Sequence, residues 1–242
     1  MVHRYETTFY DMTTRVNVRS ARIITRLMQQ QLPVQSVVDF GCAQGGWLTA
    51  WQELGIVDLM GVDGHDVAQG RMLIDKRLFF QADLRHPVRL GRRFDLVESV
   101  EVAEHLPVEH AADFVATLVR HGDLVLFSAA PPGQGGEYHV NEQPYEYWRD
   151  LFLAQGYHLF DFPRWAVRNH PQVQSWYRYN LFLYVHEGAV ERLPEAVRRH
   201  GLPPGARIPD LAPLFIRLTR QVVRLFSVKT QTAISQWLAR WR

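Results

Sequence analysis

The stretch Val37-Val38-Asp39-Phe40-Gly41-Cys42-Ala43-Gln44-Gly45-Gly46-Trp47 decides the fold. An apolar run over residues 36–40 enters a glycine-rich turn, and residues 47–54 follow with helical character. Glycines at a strand-to-helix turn let the backbone approach a ligand closely, and the first helical turn offers N–H groups that lack intrahelical partners. Nicotinamide and flavin enzymes use similar turns, so the turn predicts a nucleotide-like ligand without naming it.

Working outward, strands and helices alternate. Residues 58–62 and 78–81 read as further strands, 94–99 as a buried strand, 111–121 as a helix and 124–128 as another strand. A Pro/Gly loop spans 130–136, residues 145–154 are helical, and 157–160 with 181–185 form a closing pair of strands. This alternation predicts an α/β fold: a Rossmann-like, doubly wound, mostly parallel sheet with an antiparallel closing strand. Upstream, residues 15–31 read as a helix that Pro33 stops. Beyond Gly188, prolines 194, 203, 204, 209 and 213 punctuate a linker, and one amphipathic helix is expected over 213–242.

The spacing of acids after the turn narrows the ligand. Asp63, followed by Gly64, ends the second strand, where a carboxylate accepts hydrogen bonds from ribose hydroxyls. Asp83 and Leu84 follow the third strand, within reach of an adenine. The fourth strand continues into Val97-Glu98-Ser99-Val100-Glu101-Val102-Ala103-Glu104-His105-Leu106. In this order the segments resemble the motifs of class I S-adenosylmethionine-dependent methyltransferases, over roughly residues 36–128 and less specifically to 185. The resemblance implies that Asp39, Gly41, Ala43 and Gly45 shape the pocket for the methionine part of S-adenosylmethionine. It also implies that Asp63 holds the ribose, Asp83 lies beside the adenine and Ser99 sits under the cofactor. One departure stands out: the family's middle glycine is Ala43 here, followed by Gln44. The implied organisation is a helical segment over 1–35, a methyltransferase domain over 36–188, and a linker with a basic C-terminal helix over 189–242.

Glu101, Glu104 and His105 are spaced i, i+3, i+4, so a helical turn after the fourth strand would project all three from one face. The carboxyl end of a strand is where ligands bind in open α/β sheets. The segment Gly135-Gly136-Glu137-Tyr138-His139-Val140-Asn141-Glu142-Gln143 follows the fifth strand and reaches the same mouth. Glu101, Glu104, His105 and His139 thus form a candidate divalent-metal site, with nitrogen ligands that suit manganese, iron or zinc. The Glu-x-x-Glu-His signature resembles two metal-using O-methyltransferase groups, one acting in ubiquinone synthesis and one on the 2′-hydroxyl of small RNAs. Without metal, His139 or His105 is the candidate general base. A base-and-metal cluster points to an oxygen acceptor, because an alcohol must lose a proton and an amine need only arrive neutral. Asn141 and Gln143 are candidate contacts to a small-molecule or glycan-like substrate. The alternatives are an RNA 2′-O-methyltransferase and a non-catalytic scaffold subunit that binds the cofactor.

Bulk properties constrain the setting. With a formal net charge of +2 and no stretch of about 18–20 apolar residues, neither nucleic-acid binding nor a membrane span is expected. The single cysteine, Cys42, excludes an intramolecular disulfide, and MVHRYETTFYDMTTR lacks the apolar core of a signal peptide. A cytoplasmic location is the expectation. Charge is uneven: from Glu191 onward ten Lys/Arg face three Asp/Glu. The final helix, with Phe215, Leu218, Val222, Leu225 and Phe226 on one side, is expected to pack on the main domain or on a second copy in a homodimer. The other expectation is peripheral contact with an anionic membrane surface.

Overall fold

Seven strands form where the sequence alternates: β1 (Ser36–Phe40), β2 (Asp58–Asp63), β3 (Phe79–Gln81), β4 (Leu96–Val100), β5 (Leu124–Ser128), β6 (Tyr157–Phe160) and β7 (Phe182–His186). They appear in a computed structural model that describes residues 7–64 and 72–239. The sheet order is β3-β2-β1-β4-β5-β7-β6; β1 to β5 run parallel, and β7 is antiparallel to both β5 and β6. β1, β4 and β5 are buried along nearly their whole length, and they carry the Val/Leu/Phe-rich runs typical of parallel strands covered on both faces.

Side chains alternate across the sheet into two apolar layers. On one face Val37, Leu96 and Leu126 pack with Ala21, Ile24 and Met28 of α1 (Thr7–Gln31) and Leu48 and Trp51 of α2 (Gly46–Glu53). A two-pronged Arg22–Glu53 ion pair ties α1 to α2. On the other face Val38, Val97 and Phe127 pack with Phe114 and Leu118 of α3 (Ala111–Arg120) and Trp148 and Phe152 of α4 (Tyr145–Leu153). Two short helices, α5 (Phe162–Val167) and α6 (Ser175–Asn180), lead from β6 to β7. Beyond β7 the chain stays on the sheet. Ala189, Leu193 and Val197 join the first layer, Val197 from α7 (Glu195–Arg198), and Gly201 bridges to Phe160.

The strand order reverses at β1, whose neighbours are β2 and β4, so their carboxyl ends open a crevice there. Several boundaries differ from expectation. β4 begins at Leu96 because Phe94 and Asp95 are engaged elsewhere. The Phe94 N–H donates to the His121 carbonyl (2.7 Å), and the Asp95 carboxylate accepts from the N–H groups of Gln35 and Ser36. α1 starts at Thr7, earlier than residue 15. The single tail helix is two helices, α8 (Leu214–Val223) and α9 (Val228–Ala239), because Ser227 restarts the chain by accepting the Thr230 N–H on its Oγ (3.2 Å). Residues 240–242 of the expected helix lie outside the described residues. The stripe of Phe215, Leu218, Val222, Leu225 and Phe226, expected to pack on the main domain or on a second copy, is not covered by the main domain and is exposed in the single chain.

Candidate active site

The turn after β1 is built by close approach. Gly41 has φ +87°, and a Cβ there would collide with the Val102 side chain. Its N–H and that of Cys42 both donate to the Val62 carbonyl, at 2.8 and 3.3 Å. Ala43 sits at φ +45°, the left-handed region that costs an L-residue about 1–2 kcal/mol. What holds it is the Asp63 carboxylate, which accepts the Ala43 N–H on Oδ2 and the Gly64 N–H on Oδ1, both at 2.7 Å. Gly45, at φ +86°, then opens α2.

Beneath this turn lies a stack of acids. Asp39 is buried, and burial followed by the nearby Asp63 charge pushes its carboxyl up to about 8. Its cross-strand neighbour is Glu98, which burial and then Asp39 push well above the usual carboxylate range. Trp51 steadies Glu98 by donating its indole N–H at 2.8 Å. Asp63 is also shifted upward by burial, against the two N–H bonds it accepts. Ser99 is buried with its hydroxyl unpartnered, and Leu84 is buried nearby in sequence to Asp83. Asp83 itself is half-exposed. Both its oxygens accept from Arg85, which holds the carboxyl below its ordinary range.

The acceptor side corrects one expectation. No helical turn begins at Glu101, which sits at φ +56°; the turn after β4 is a single 3-10 turn over Ala103–His105. Its carboxylate is held by amides instead, Oε2 accepting from Gln134 at 2.6 Å and Oε1 from Asn180 at 3.4 Å. Asn180 links the same Gln134 to the Tyr145 hydroxyl, at 2.7 and 3.0 Å. Glu101 is not among the residues whose ligand atoms converge, because Gln134 and Asn180 engage its carboxylate.

The remaining three residues do converge. Glu104, His105 and His139 place a ligand atom each within 4.8 Å of one another, and the two imidazoles meet edge to face at 4.9 Å. Glu104 is fully buried, and neither carboxylate oxygen has a hydrogen-bond partner. Burial, then the Glu101 charge, push its carboxyl well above the usual range, against the nearby backbone N–H groups of Glu104 and Ala130, which lie outside good hydrogen-bond geometry. The loop is pinned to this turn, since the N–H groups of Val140 and Asn141 both donate to the Glu104 carbonyl, at 2.9 and 3.0 Å.

Each imidazole is oriented through Nδ1. That of His105 faces the Tyr138 carbonyl at 3.3 Å, and that of His139 faces Glu142 Oε1 at 2.8 Å. With Nδ1 donating, Nε2 of each ring carries the lone pair. Glu142 also accepts the N–H groups of Gly133 (2.7 Å) and Gly135 (2.8 Å), so one carboxylate folds the loop and orients the histidine. Tyr138, at φ +58°, is a second left-handed non-glycine residue beside the cluster. Asn141 is buried; its Oδ1 accepts from Gln143 at 2.9 Å, and its own Nδ2 is an unpartnered donor.

Glu142, Gln134 and Asn180 were missed from the sequence. Glu142 was within reach, three residues after His139. The other two come from a loop and from α6, and nothing in their local pattern signals the meeting.

A family model described as a methyltransferase domain matches residues 12–169. The chain belongs to that family. It is a class I S-adenosylmethionine-dependent methyltransferase. Among solved structures the methyltransferase is similar to DesVI from Streptomyces venezuelae, with 15% identity and a TM-score of 0.53, covering 76% of this chain and 100% of that one. It is similar to the sugar N-methyltransferase KedS8 from Streptoalloteichus sp., with 17% identity and a TM-score of 0.54, covering 77% and 94%. It is also similar to the methyltransferase domain of bacterial CtHen1, with 16% identity and a TM-score of 0.52, covering 70% and 99%. At these identities the likeness is one of fold. Among curated proteins, none matches the methyltransferase.

Proposed function

We propose that this methyltransferase transfers the methyl group to a hydroxyl oxygen of a small-molecule or glycan-like acceptor, with a divalent cation held by Glu104, His105 and His139. The observation that carries this reading is the fully buried Glu104 carboxylate, both oxygens unpartnered, beside two imidazoles oriented through Nδ1. An isolated carboxylate is costly to bury, and an oxygen-and-two-nitrogen donor set suits manganese, iron or zinc. Bound there, such a cation supplies Lewis acidity that lowers the pKa of an alcohol.

The chain's own residues do the rest. Asp63 meets the ribose hydroxyls with the lone pairs left after its two backbone bonds. Asp39 faces the cationic methionine part with Gly41, Ala43 and Gly45 around it, Leu84 and Asp83 border the adenine, and Ser99 lies beneath. Asn141 offers its unpartnered Nδ2 to the acceptor, with Gln143 holding its carbonyl side. A sulfonium methyl is already activated, so catalysis consists of aligning the hydroxyl in line with the S–CH₃ bond, excluding water from the reacting atoms, and releasing the hydroxyl proton to solvent as the C–S bond breaks and the O–CH₃ bond forms. An amine acceptor would need none of the Glu104 cluster.

A second reading keeps the oxygen acceptor and dispenses with the cation. Glu142 orients His139 at 2.8 Å, a carboxylate–imidazole dyad of the kind that serves a general base. Manganese binding to the purified protein, followed by calorimetry, separates the two. The wild type should bind Mn²⁺ at one site and Glu104→Gln should lose it, with binding of S-adenosylhomocysteine intact in both. A wild type that binds no Mn²⁺ would remove the cation from the reading and leave His139 as the base.

A further inference from the structure

The C-terminal helix pair is mounted inside out. The inward residues of α9 are Gln231, Thr232, Ser235 and Gln236; α8 turns in the half-buried Ile216 and Val223 and the buried Arg220, which pairs with Asp210 at 3.3 Å. These polar groups grip the loop that carries His139. Thr232 Oγ1 accepts the Tyr138 N–H (3.0 Å), Gln236 donates to Glu137 (3.0 Å), and Gly133 lies directly against the Arg220 carbonyl. Outward, to solvent, the pair presents Leu214, Phe215, Leu218, Val222, Leu225, Ile234 and Trp237, with Phe215 67% and Leu225 83% exposed. A soluble helix normally hides such a face against its own core.

We infer that this outer face docks on an anionic phospholipid surface, with the apolar side chains entering the headgroup–acyl boundary and the cations beside them meeting lipid phosphates. Charge decides the occupant. Residues 213–242 carry six Lys/Arg and no Asp/Glu. A second copy meeting this face would bring two such segments together and repel, whereas an anionic bilayer attracts both components of the face at once. Lys229 and Arg217 are exposed on the same helices as the apolar row, Arg217 with its Nε 4.0 Å from Asp210. Because the inner side of the pair holds the His139 loop, a docked molecule would set its active-site mouth close to the lipid.

The test is flotation of the full chain with vesicles of phosphatidylcholine alone and of phosphatidylcholine with phosphatidylglycerol. The protein should float with the anionic vesicles and stay behind with the neutral ones. Phe215→Ser with Leu218→Ser should abolish flotation. Arg217→Gln with Lys229→Gln should weaken partitioning by about 30-fold, at about tenfold for each 1.4 kcal/mol and roughly 1 kcal/mol per cation. All four residues lie outside the cofactor and acceptor sites, so the stabilising shift from S-adenosylhomocysteine should persist in both variants and report an intact fold. Failure of the wild type to float with anionic vesicles would overturn the inference, as would undiminished flotation of the Phe215/Leu218 variant. A dimer in sedimentation that the same substitutions dissociate, without lipid binding, would assign the face to a second copy instead. None of these outcomes bears on the cation or the acceptor atom.

Discussion

Binding of S-adenosylmethionine should expel a proton from Asp39. The carboxyl sits at about 8 because it is buried and faces the Asp63 charge. In the ligand-free protein at pH 7 it is therefore mostly protonated. A cationic methionine moiety placed against it favours the anion, so binding and deprotonation are coupled. The affinity should rise by up to about tenfold per pH unit from pH 6 to near pH 8 and then level off, with up to about one proton released per ligand at pH 7. The sign for stability runs the opposite way from an ion-paired carboxylate. A folded value raised above the unfolded one makes the contribution largest below about pH 4, and it is lost as pH rises toward 8, by at most about 1.4 kcal/mol per unit. Titration calorimetry in buffers of different ionisation enthalpy measures the proton count directly. The ligand's own α-amino group titrates near 8, so the control is Asp39→Asn, whose profile should lack the acidic limb. A wild-type affinity that is flat between pH 6 and 8, with no buffer-dependent heat, would refute the placement of the methionine cation against Asp39.

Two further outcomes follow from packing. Gly136→Ala should cut turnover by about a hundredfold or more while leaving cofactor affinity unchanged, because a Cβ there would collide with the His139 ring. Steady-state kinetics beside a binding isotherm would show it, and full activity would mean that His139 has no part in the chemistry. Arg164→Met should destabilise the protein by about 3–5 kcal/mol in urea titrations, since it strands the buried Asp161 that Arg164 pairs at 2.5 and 2.6 Å. Adding Asp161→Asn should recover much of that loss, and a single variant as stable as the wild type would contradict the pairing.

The sheet was readable because its signals are local. Each buried strand is a short Val/Leu/Phe run closed by a turn residue, and the turn from Phe40 to Trp47 declares its ligand through backbone geometry that only a few residue types allow. Even the substitution of Ala43 was visible, though not the Asp63 bond that holds it at positive φ. The acceptor site was half-readable. Glu104, His105 and His139 were found by residue type, and they do meet. Glu101 falls outside the converging set because the spacing argument assumes a helix, whereas Glu101 itself is left-handed and only a 3-10 turn over Ala103–His105 follows. Glu101 has partners in a loop and in α6, and such a tertiary meeting leaves no periodic trace. The tail was legible only in part for a related reason: an amphipathic stripe reveals that a helix has two faces, not which one the body will take.

The polar seam under α8 and α9 gives the molecule two tiers of stability. Hydroxyl and amide groups join the tail to the His139 loop, and Arg217 and Arg220 tie it to Asp210, so much of the joint is polar rather than apolar. The tail is then a foldon of its own, able to open at far lower cost than the sheet beneath it. Amide exchange should be quickest along 213–239 and, by release of its cover, next quickest in the loop around Tyr138. Whatever settles on the outer face adds its binding free energy to that upper tier alone, and so stiffens the acceptor loop while leaving the cofactor turn as it was.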